Sequence, residues 1–152
     1  MTSHLEVARA FGDGKTKLKG SRMFIEGDTV YSYGRHFPIA KRYFKDGIDY
    51  IFNTKGYSSS TATHKSYVFR NLSGTVLQVR DCDLDRAGEQ YDYNKKDINE
   101  LKGKEKRARL KHMRDYHRDR INELEEQNML LSNLAVKQRL MKAIENDNNK
   151  WN

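Results

Sequence analysis

The sequence predicts an α+β protein, in which a small and mostly antiparallel β-sheet with one short helix is followed by a basic helical arm or hairpin. Between residues 21 and 84, short runs rich in β-branched and aromatic residues alternate with glycine-containing turns. From about residue 95 the composition changes to helix-favouring Lys, Arg, Glu, Leu and Met, with one glycine and no proline. The 152 residues are 36% hydrophobic and 33% charged, which is enough for one modest core.

Composition divides the chain into three segments: a flexible amino-terminal segment over 1–20, an α+β domain over 21–94 and a basic helical arm over 95–152. In the first segment, "EVARAF" could form a short helix. The following "GDGKTKLKGS" combines glycine with lysine and is typical of a loop. We therefore expect order to begin near Met23.

Two β-hairpins are predicted in the middle segment. "RMFIEGDTVYSYG" contains two strand-like runs on either side of Glu26–Asp28, a composition typical of a tight turn between antiparallel strands. "FPIAKRYF" and "IDYIFNT" repeat this arrangement around Asp46–Gly47. Pro38 cannot donate to a central ladder, so we expect it at the start of a strand or on a sheet edge. "GTVLQVRDCDL" predicts a further strand.

One helix is predicted after the second hairpin, because hydroxyl residues gather before "HKSYVFRNL" and can accept the unpaired N–H groups of a first helical turn. Ser60 or Thr61 is the predicted cap, and Gly74 is the predicted stop. A strand over "SYVFRNL" is the alternative. The positions that would share one face of the helix are His64, Val68 and Leu72.

The arm carries a thin apolar track in steps of three or four residues. Its members are Ile98, Leu101, Leu110, Met113, His117, Ile121, Leu124, Asn128, Leu131 and Ala135. The track indicates a helix that rests on a surface or a partner chain. In "NMLLSNLAV", Ser132 could cap a second helix that folds back. Either a helical hairpin or one long coiled-coil arm fits, and the hairpin is favoured because strict heptads are not sustained.

Basic residues indicate the class of partner. The net charge is +8 and the isoelectric point is near 9.5, which favours binding to a polyanion or an acidic protein surface. Eight basic and two acidic residues lie within 15–45, and nine basic and three acidic residues lie within 102–120. A charge run of this kind can also be an ordinary solvated face. The predicted contact residues are Arg35, Lys41, Arg42, Lys106, Arg107, Arg109, Lys111, Arg114 and Arg118.

Aromatic residues near the first cluster could stack on nucleobases where they face outward. They are Tyr31, Tyr33, Phe37, Tyr43, Tyr50 and Tyr57. Within "SYGRHFPIAKR" we expect a turn that enters an edge strand. Phe37 and Ile39 are predicted to point inward, and Arg35, Lys41 and Arg42 outward.

Catalytic patterns are weak. Cys82 is the only cysteine, so neither an internal disulfide nor a Cys-based zinc site is possible. No nucleophile elbow surrounds Ser58–Ser60 or Cys82. Asp81, Asp83 and Asp85 alternate, but Arg86 occupies the position where a calcium loop needs glycine. We expect no enzyme activity and no cofactor, with a metal-dependent nuclease that uses the three aspartates as the least favoured alternative.

"YSYGRHFPIAKR" followed by "YSSSTATHKSYV" resembles a small domain of unknown function that recurs in phage and mobile-element proteins. The first block is matched by Tyr33, Gly34, His36, Phe37, Pro38 and Ala40, and the second by Tyr57, Ser58, Thr61 and His64. Ser60 stands where the family more often has threonine. The resemblance covers residues 30–70 and implies a phage or prophage origin without an assigned activity.

The resulting hypothesis is a non-enzymatic, phage-encoded accessory protein that binds nucleic acid or a host nucleoprotein complex, including as an inhibitor of host defence of the anti-CRISPR type. The alternative is a protein-only module that binds an acidic protein surface. No stretch is long and apolar enough for a membrane span, and we expect the protein in the cytoplasm of a bacterial host. The arm could also form a homodimer, and His36 and His64 could meet in the fold.

Overall fold

The computed structural model describes residues 2–150, leaving aside the side chains of 136, 138–141 and 148–150, and the chain divides into two compact units. The first unit ends at Leu84 and the second begins at Asp85. The predicted α+β class is confirmed. The unit boundary lies before the predicted division at residue 94, because the first helix of the second unit already begins at Ala87.

The first unit is built on a six-stranded sheet in which every strand lies beside its neighbour in the chain. All pairs are antiparallel except the last, since a helix crosses over between the fifth and sixth strands. The strands are β1 (Lys17–Lys19), β2 (Met23–Glu26), β3 (Thr29–Ser32), β4 (Pro38–Lys45), β5 (Ile48–Phe52) and β6 (Val76–Gln78).

Both predicted hairpins are confirmed, and left-handed backbone at the turns explains their composition. Gly27 has φ +63° between β2 and β3, and Gly47 has φ +77° between β4 and β5. Pro38 begins β4, as expected for a residue that cannot donate to a ladder. The strand predicted over "GTVLQVRDCDL" is limited to Val76–Gln78, and short 3₁₀ turns follow at Arg80–Cys82 and Leu84–Arg86.

The amino-terminal segment corrects the expectation of a flexible stretch over 1–20. Helix α1 spans His4–Gly12, and the Ser3 side chain caps it by accepting from the Glu6 N–H at 3.2 Å. Val7 and Phe11 are fully buried in the core of the first unit. The burial of these apolar side chains offsets the entropy lost on ordering the segment. Only residues 13–16 between α1 and β1 remain loop.

Helix α2 (Ser59–Arg70) confirms the predicted helix with a shifted cap. Ser58, instead of Ser60 or Thr61, accepts from the Thr61 N–H at 3.2 Å. His64 and Val68 lie on the buried face, as predicted. Beyond the helix, Gly74 has φ +102°, and a β-carbon there would collide with the Asp49 carboxylate, which accepts from the Thr75 N–H at 2.8 Å.

Arg42 occupies the core side of β4, which makes the prediction that it points outward wrong. Its guanidinium donates to the backbone oxygens of Gly27 at 3.0 Å, Phe11 at 2.8 Å and Lys15 at 2.5 Å. It also lies over the Phe11 ring, 4.3 Å from the ring centroid. Because side chains alternate along a strand, the neighbouring Lys41 faces solvent. Phe37 and Ile39 are buried as predicted.

The second unit is a helical hairpin of α3 (Ala87–Arg107) and α4 (Lys111–Lys150). Ile98 and Leu101 of α3 are buried against Ile121 and Leu124 of α4. Ion pairs join Glu105 to Arg118 at 2.8 Å and Lys102 to Glu125 at 3.9 Å, so the helices run antiparallel.

The favoured hairpin is therefore confirmed, but its predicted position is wrong. The chain reverses at residues 108–110, and α4 continues through Ser132 without a break. Ala108 has extended backbone that ends α3, and only one glycine and no proline lie near the turn, so the sequence marks it weakly.

Because the Arg42 guanidinium is buried, we expect substitutions at two adjacent residues of β4 to change the free energy of unfolding by very different amounts. Arg42→Lys should lower the free energy of unfolding by about 2 to 4 kcal/mol, because one ammonium cannot reach three carbonyl groups that lie in separate segments. Lys41→Ala is the matched control and should change it by no more than about 0.5 kcal/mol. Urea unfolding followed by circular dichroism measures both, and equal effects would contradict the clamp role of Arg42.

Candidate nucleic-acid interface

The basic turn of the second unit, defined as residues 104–118, holds most of the predicted contact residues. It comprises the end of α3, the link at 108–110 and the first two turns of α4. Seven basic and two acidic residues lie in these fifteen positions. A tight reversal between two helices brings all of them to one end of the hairpin.

Five cations of the basic turn are exposed and form neither an ion pair nor a side-chain hydrogen bond with any residue that the structure describes: Lys104, Lys106, Arg107, Arg109 and Lys111. Of these, Lys104 was not among the predicted contact residues. The Arg107 guanidinium lies back over Gly103, where a β-carbon would be 3.2 Å from it. Because no carboxylate neutralises these side chains, their charges add to a local positive potential.

Two other predicted contact residues are held by the hairpin itself. Arg114 donates to the backbone oxygens of Ala108 at 3.2 Å and Arg109 at 3.1 Å, which fixes the shape of the link. Arg118 donates to Glu105 at 2.8 Å, and this bond together with the Glu105 charge raises the pKa of Arg118. These two arginines support the turn and are less available to a ligand than the other five cations.

The start of α4 adds to the positive character of this end. The positive end of a helix dipole favours anions, yet the first turn of α4 contains Lys111 and no acidic residue. Backbone N–H groups at such an end can donate to phosphate oxygens. The arrangement is unfavourable for the isolated helix and becomes favourable when an anion lies near it.

A shallow groove of about 550 Å³ runs along the basic turn. Leu110 and Met113 line it beside the cations, with 59% and 40% of their surfaces exposed. His117 also lines it, and its Nδ1 is buried without a hydrogen-bond partner among the described residues. The groove thus offers apolar surface surrounded by positive charge.

The three contact residues predicted in the first unit do not form one surface. Arg35 is exposed but donates to both carboxylate oxygens of Glu26, at 2.8 and 2.9 Å. Lys41 is exposed and Arg42 is buried. Of the aromatic candidates, Tyr33 and Tyr57 are exposed, whereas Phe37 and Tyr50 belong to the core.

The two sequence blocks that carry the phage-domain resemblance meet inside the first unit. Ser32 Oγ lies 2.9 Å from Nδ1 of His64 and 3.2 Å from the hydroxyl oxygen of Thr61, which accepts from Ser58 at 3.1 Å. Ser32 is fully buried and His64 is 2% exposed. No substrate reaches this serine, so the pair joins β3 to α2 as a structural contact.

Burial, together with smaller effects of the nearby charges of His4 and Arg22, lowers the pKa of His64 to about 4. The His4 ring lies 4.3 Å from the His64 ring. His36 instead contacts the ring of Tyr57, at 6.2 Å between centroids. The two histidines that could have met thus have different ring partners.

The residues that could have served as a nucleophile or as metal ligands lie in surroundings that favour neither role. Burial raises the pKa of the Cys82 thiol to about 12, so it stays protonated at neutral pH. Asp81 lies 4.0 Å from the Lys55 ammonium. Within residues 2–150, no three His, Cys, Asp or Glu side chains gather as a metal site would require, so Asp81, Asp83 and Asp85 do not form a ligand cluster.

A second groove, of about 880 Å³, was not predicted from the sequence. It lies in the first unit, along β1, β2 and the loop that follows β3. Its walls include Lys17, Lys19, Phe24, Tyr33 and Arg35. The alternation of lysine in "KLK" was the available signal, but it fell within the stretch interpreted as a loop.

Comparisons with protein families, with curated proteins and with solved structures find no match to this chain. The resemblance to the phage domain therefore stays a prediction. Within the described part of the chain, no helix is long and apolar enough to cross a membrane.

The buried His64 predicts a loss of stability in mild acid. Its native pKa of about 4 lies below the value of about 6.5 in an unfolded chain, so the unfolded state binds the proton first. The stability that neutral His64 provides is complete above pH 6.5 and falls as the pH falls towards 4. Urea unfolding at a series of pH values measures this slope.

His64→Asn should remove the His64 share of that slope, although it also lowers stability at neutral pH by leaving Ser32 and Thr61 less well paired. His36→Asn, at an exposed position, is the control and should keep the full slope. An unchanged slope in the His64 variant would show that other groups cause the acid sensitivity.

Proposed function

We propose that this protein acts by binding, without catalysis, and that its ligand is nucleic acid or a nucleoprotein complex. The observation that carries the proposal is a set of five exposed cations in the basic turn that have no carboxylate partner among the described residues: Lys104, Lys106, Arg107, Arg109 and Lys111. A phosphate backbone supplies the missing negative charge.

The energetics favour a repeated anion as the ligand. Like charges that lie close together repel, and this repulsion is removed when phosphates neutralise them and release counterions. The N–H groups of Met113 and Arg114 donate to the Leu110 carbonyl. This leaves the N–H groups of Lys111 and His112 to add hydrogen bonds to the same phosphates. These contacts carry no base information, so the basic turn would give affinity with little sequence preference.

The proposal includes a phage-encoded accessory role in the cytoplasm of a bacterial host, with inhibition of a defence nucleoprotein of the CRISPR type as one form of it. This part is supported by the resemblance of residues 30–70 and by the basic charge, and by no residue contact. A dimer through the arm remains compatible with α4, which extends well beyond the length of α3.

A protein-only partner is the second candidate, and one observation favours it. Leu110, Met113 and Tyr116 are exposed between the cations of the basic turn. Apolar side chains surrounded by charge are typical of the centre and rim of a protein interface. An acidic protein surface that also carries apolar residues would contact both the cations and the exposed apolar side chains of the basic turn.

The salt dependence of binding distinguishes a nucleic-acid ligand from a protein-only partner. The double variant Arg109→Ala/Lys111→Ala should reduce the slope of log K against log salt by about 1.8 on duplex DNA and by about 1.4 on a single strand, if both cations contact phosphates. Fluorescence anisotropy of labelled DNA and RNA over a salt series measures the slope.

The matched control is Lys95→Ala/Lys96→Ala, which removes the same charge from exposed positions of α3 away from the turn. It should change the slope little. Equal effects of the two double variants would contradict a localised site, and no binding by the unaltered protein would leave the protein-only candidate.

A further inference from the structure

The first unit contains a groove whose chemistry differs from that of the basic turn. One wall is formed by β1 and β2, and another by Tyr33–Arg35, the loop that follows β3. Its volume of about 880 Å³ is large enough for more than one nucleotide. All residues that line it belong to the first unit, so it is a separate surface.

Aromatic rings give the groove a stacking surface. Phe24 lines it, and on the neighbouring strand Tyr31 supports Phe24 in a stacked arrangement, with centroids 5.0 Å apart and planes inclined by 21°. Tyr33 also lines the groove, with 44% of its surface exposed. A planar base in the groove would extend the stack that Tyr31 and Phe24 already form.

The backbone at Tyr33 is held in an uncommon conformation. Its φ is +66°, and its N–H donates to the Arg22 carbonyl at 2.7 Å. The Arg22 guanidinium lies 5.9 Å from the ring centroid. A bulky residue with left-handed backbone is costly and persists only where its surroundings fix it. The Tyr33 ring also lies 5.7 Å from the ring of the buried His64, so packing on one side holds a side chain that remains partly exposed beside the groove.

The charges of the groove complement a phosphate chain. Lys17 and Lys19 are exposed on β1 and have no ion-pair partner among the described residues. Glu26 is the single carboxylate in the lining, and Arg35 pairs with both of its oxygens. The two lysines therefore set the local potential along the strand that borders the aromatic rings.

From this juxtaposition we infer that the groove of the first unit binds single-stranded nucleic acid, with bases stacked on Phe24 and Tyr33 and phosphates held by Lys17 and Lys19. The inference rests on the proposed function and adds to it the substrate class and a second contact surface. Unpaired bases fit because the bases of a duplex are stacked on each other and cannot enter between protein rings. An acidic protein surface would engage the lysines but does not repeat a planar ring beside each negative charge, as a single strand does.

The test uses the full chain and two labelled probes, a single strand of about 12 nucleotides and a duplex of about 12 base pairs. The variant Phe24→Leu/Tyr33→Asn removes both rings, and asparagine at position 33 tolerates left-handed backbone. We expect the single-strand affinity to fall about tenfold and the duplex affinity to stay within about twofold. Phe44→Asn is the matched control, since Phe44 is also an exposed aromatic residue with left-handed backbone, at φ +49°.

A second measurement does not depend on the folding of a variant. Ultraviolet crosslinking of the unaltered protein to a single strand containing iodouridine, with peptide mapping, should place crosslinks at Tyr33 or Phe24. Lys17→Gln/Lys19→Gln should weaken this crosslinking and reduce the salt slope on the single strand by about 1.4.

Each other outcome has a defined meaning. If the protein binds both probes and crosslinks occur only in the basic turn, the groove inference is overturned while the proposed function stands. If neither probe binds, both fail. If a mononucleotide binds as tightly as the single strand, or a poly-glutamate peptide of equal charge competes as well as the oligonucleotide, the groove takes a small nucleotide or an acidic protein and the single-strand inference is overturned.

Discussion

The Arg42 guanidinium holds together three backbone segments of the first unit by donating to one carbonyl oxygen in each. One comes from the end of α1, one from the loop before β1 and one from the β2–β3 turn. A buried cation is costly unless its donors are well paired, so these segments must close around it together. The stack of the guanidinium on Phe11 couples this polar contact to the apolar core. The order of α1 and β1, and hence the groove along β1, depends on this arrangement.

Local chemistry explains which elements the sequence could predict. The turns at Gly27 and Gly47 and the hydroxyl cap of α2 need only a few neighbouring residues, so short-range reasoning found them. Order in α1 depends instead on long-range burial of Phe11, which no local pattern reveals. The inward position of Arg42 was missed because β4 is irregular: its register shifts, and Ile39 and Ala40 are both fully buried in succession. The reversal at 108–110 was missed because a run of lysine and arginine looks the same in a helix and in a link.

In the candidate interface, too, some features follow from neighbouring residues and others only from long-range contacts. Clustering of positive charge in 102–120 is visible in the sequence and locates the basic turn correctly within the arm. The sequence does not reveal which of these cations form contacts within the hairpin and which remain exposed. Glu105 engages Arg118, thirteen residues away, and Arg114 engages carbonyl groups of the link, so two arginines shape the turn. The groove along β1 could not be predicted from the sequence for another reason. Its aromatic and cationic residues come from strands that pair only in the folded sheet.

The buried apolar contacts that hold the two helices of the hairpin together lie at a distance from its turn. Between Leu101 and Ile121, no described residue is fully buried, so the apolar contact that joins α3 and α4 ends well before the reversal. Segments with few buried apolar contacts open locally at a lower free energy than the rest of a domain. The end of the hairpin is therefore held by the polar contacts of Arg114 and Arg118 and not by apolar burial. A bound anion would add contacts to this end, and slower amide exchange at 108–114 would accompany its binding.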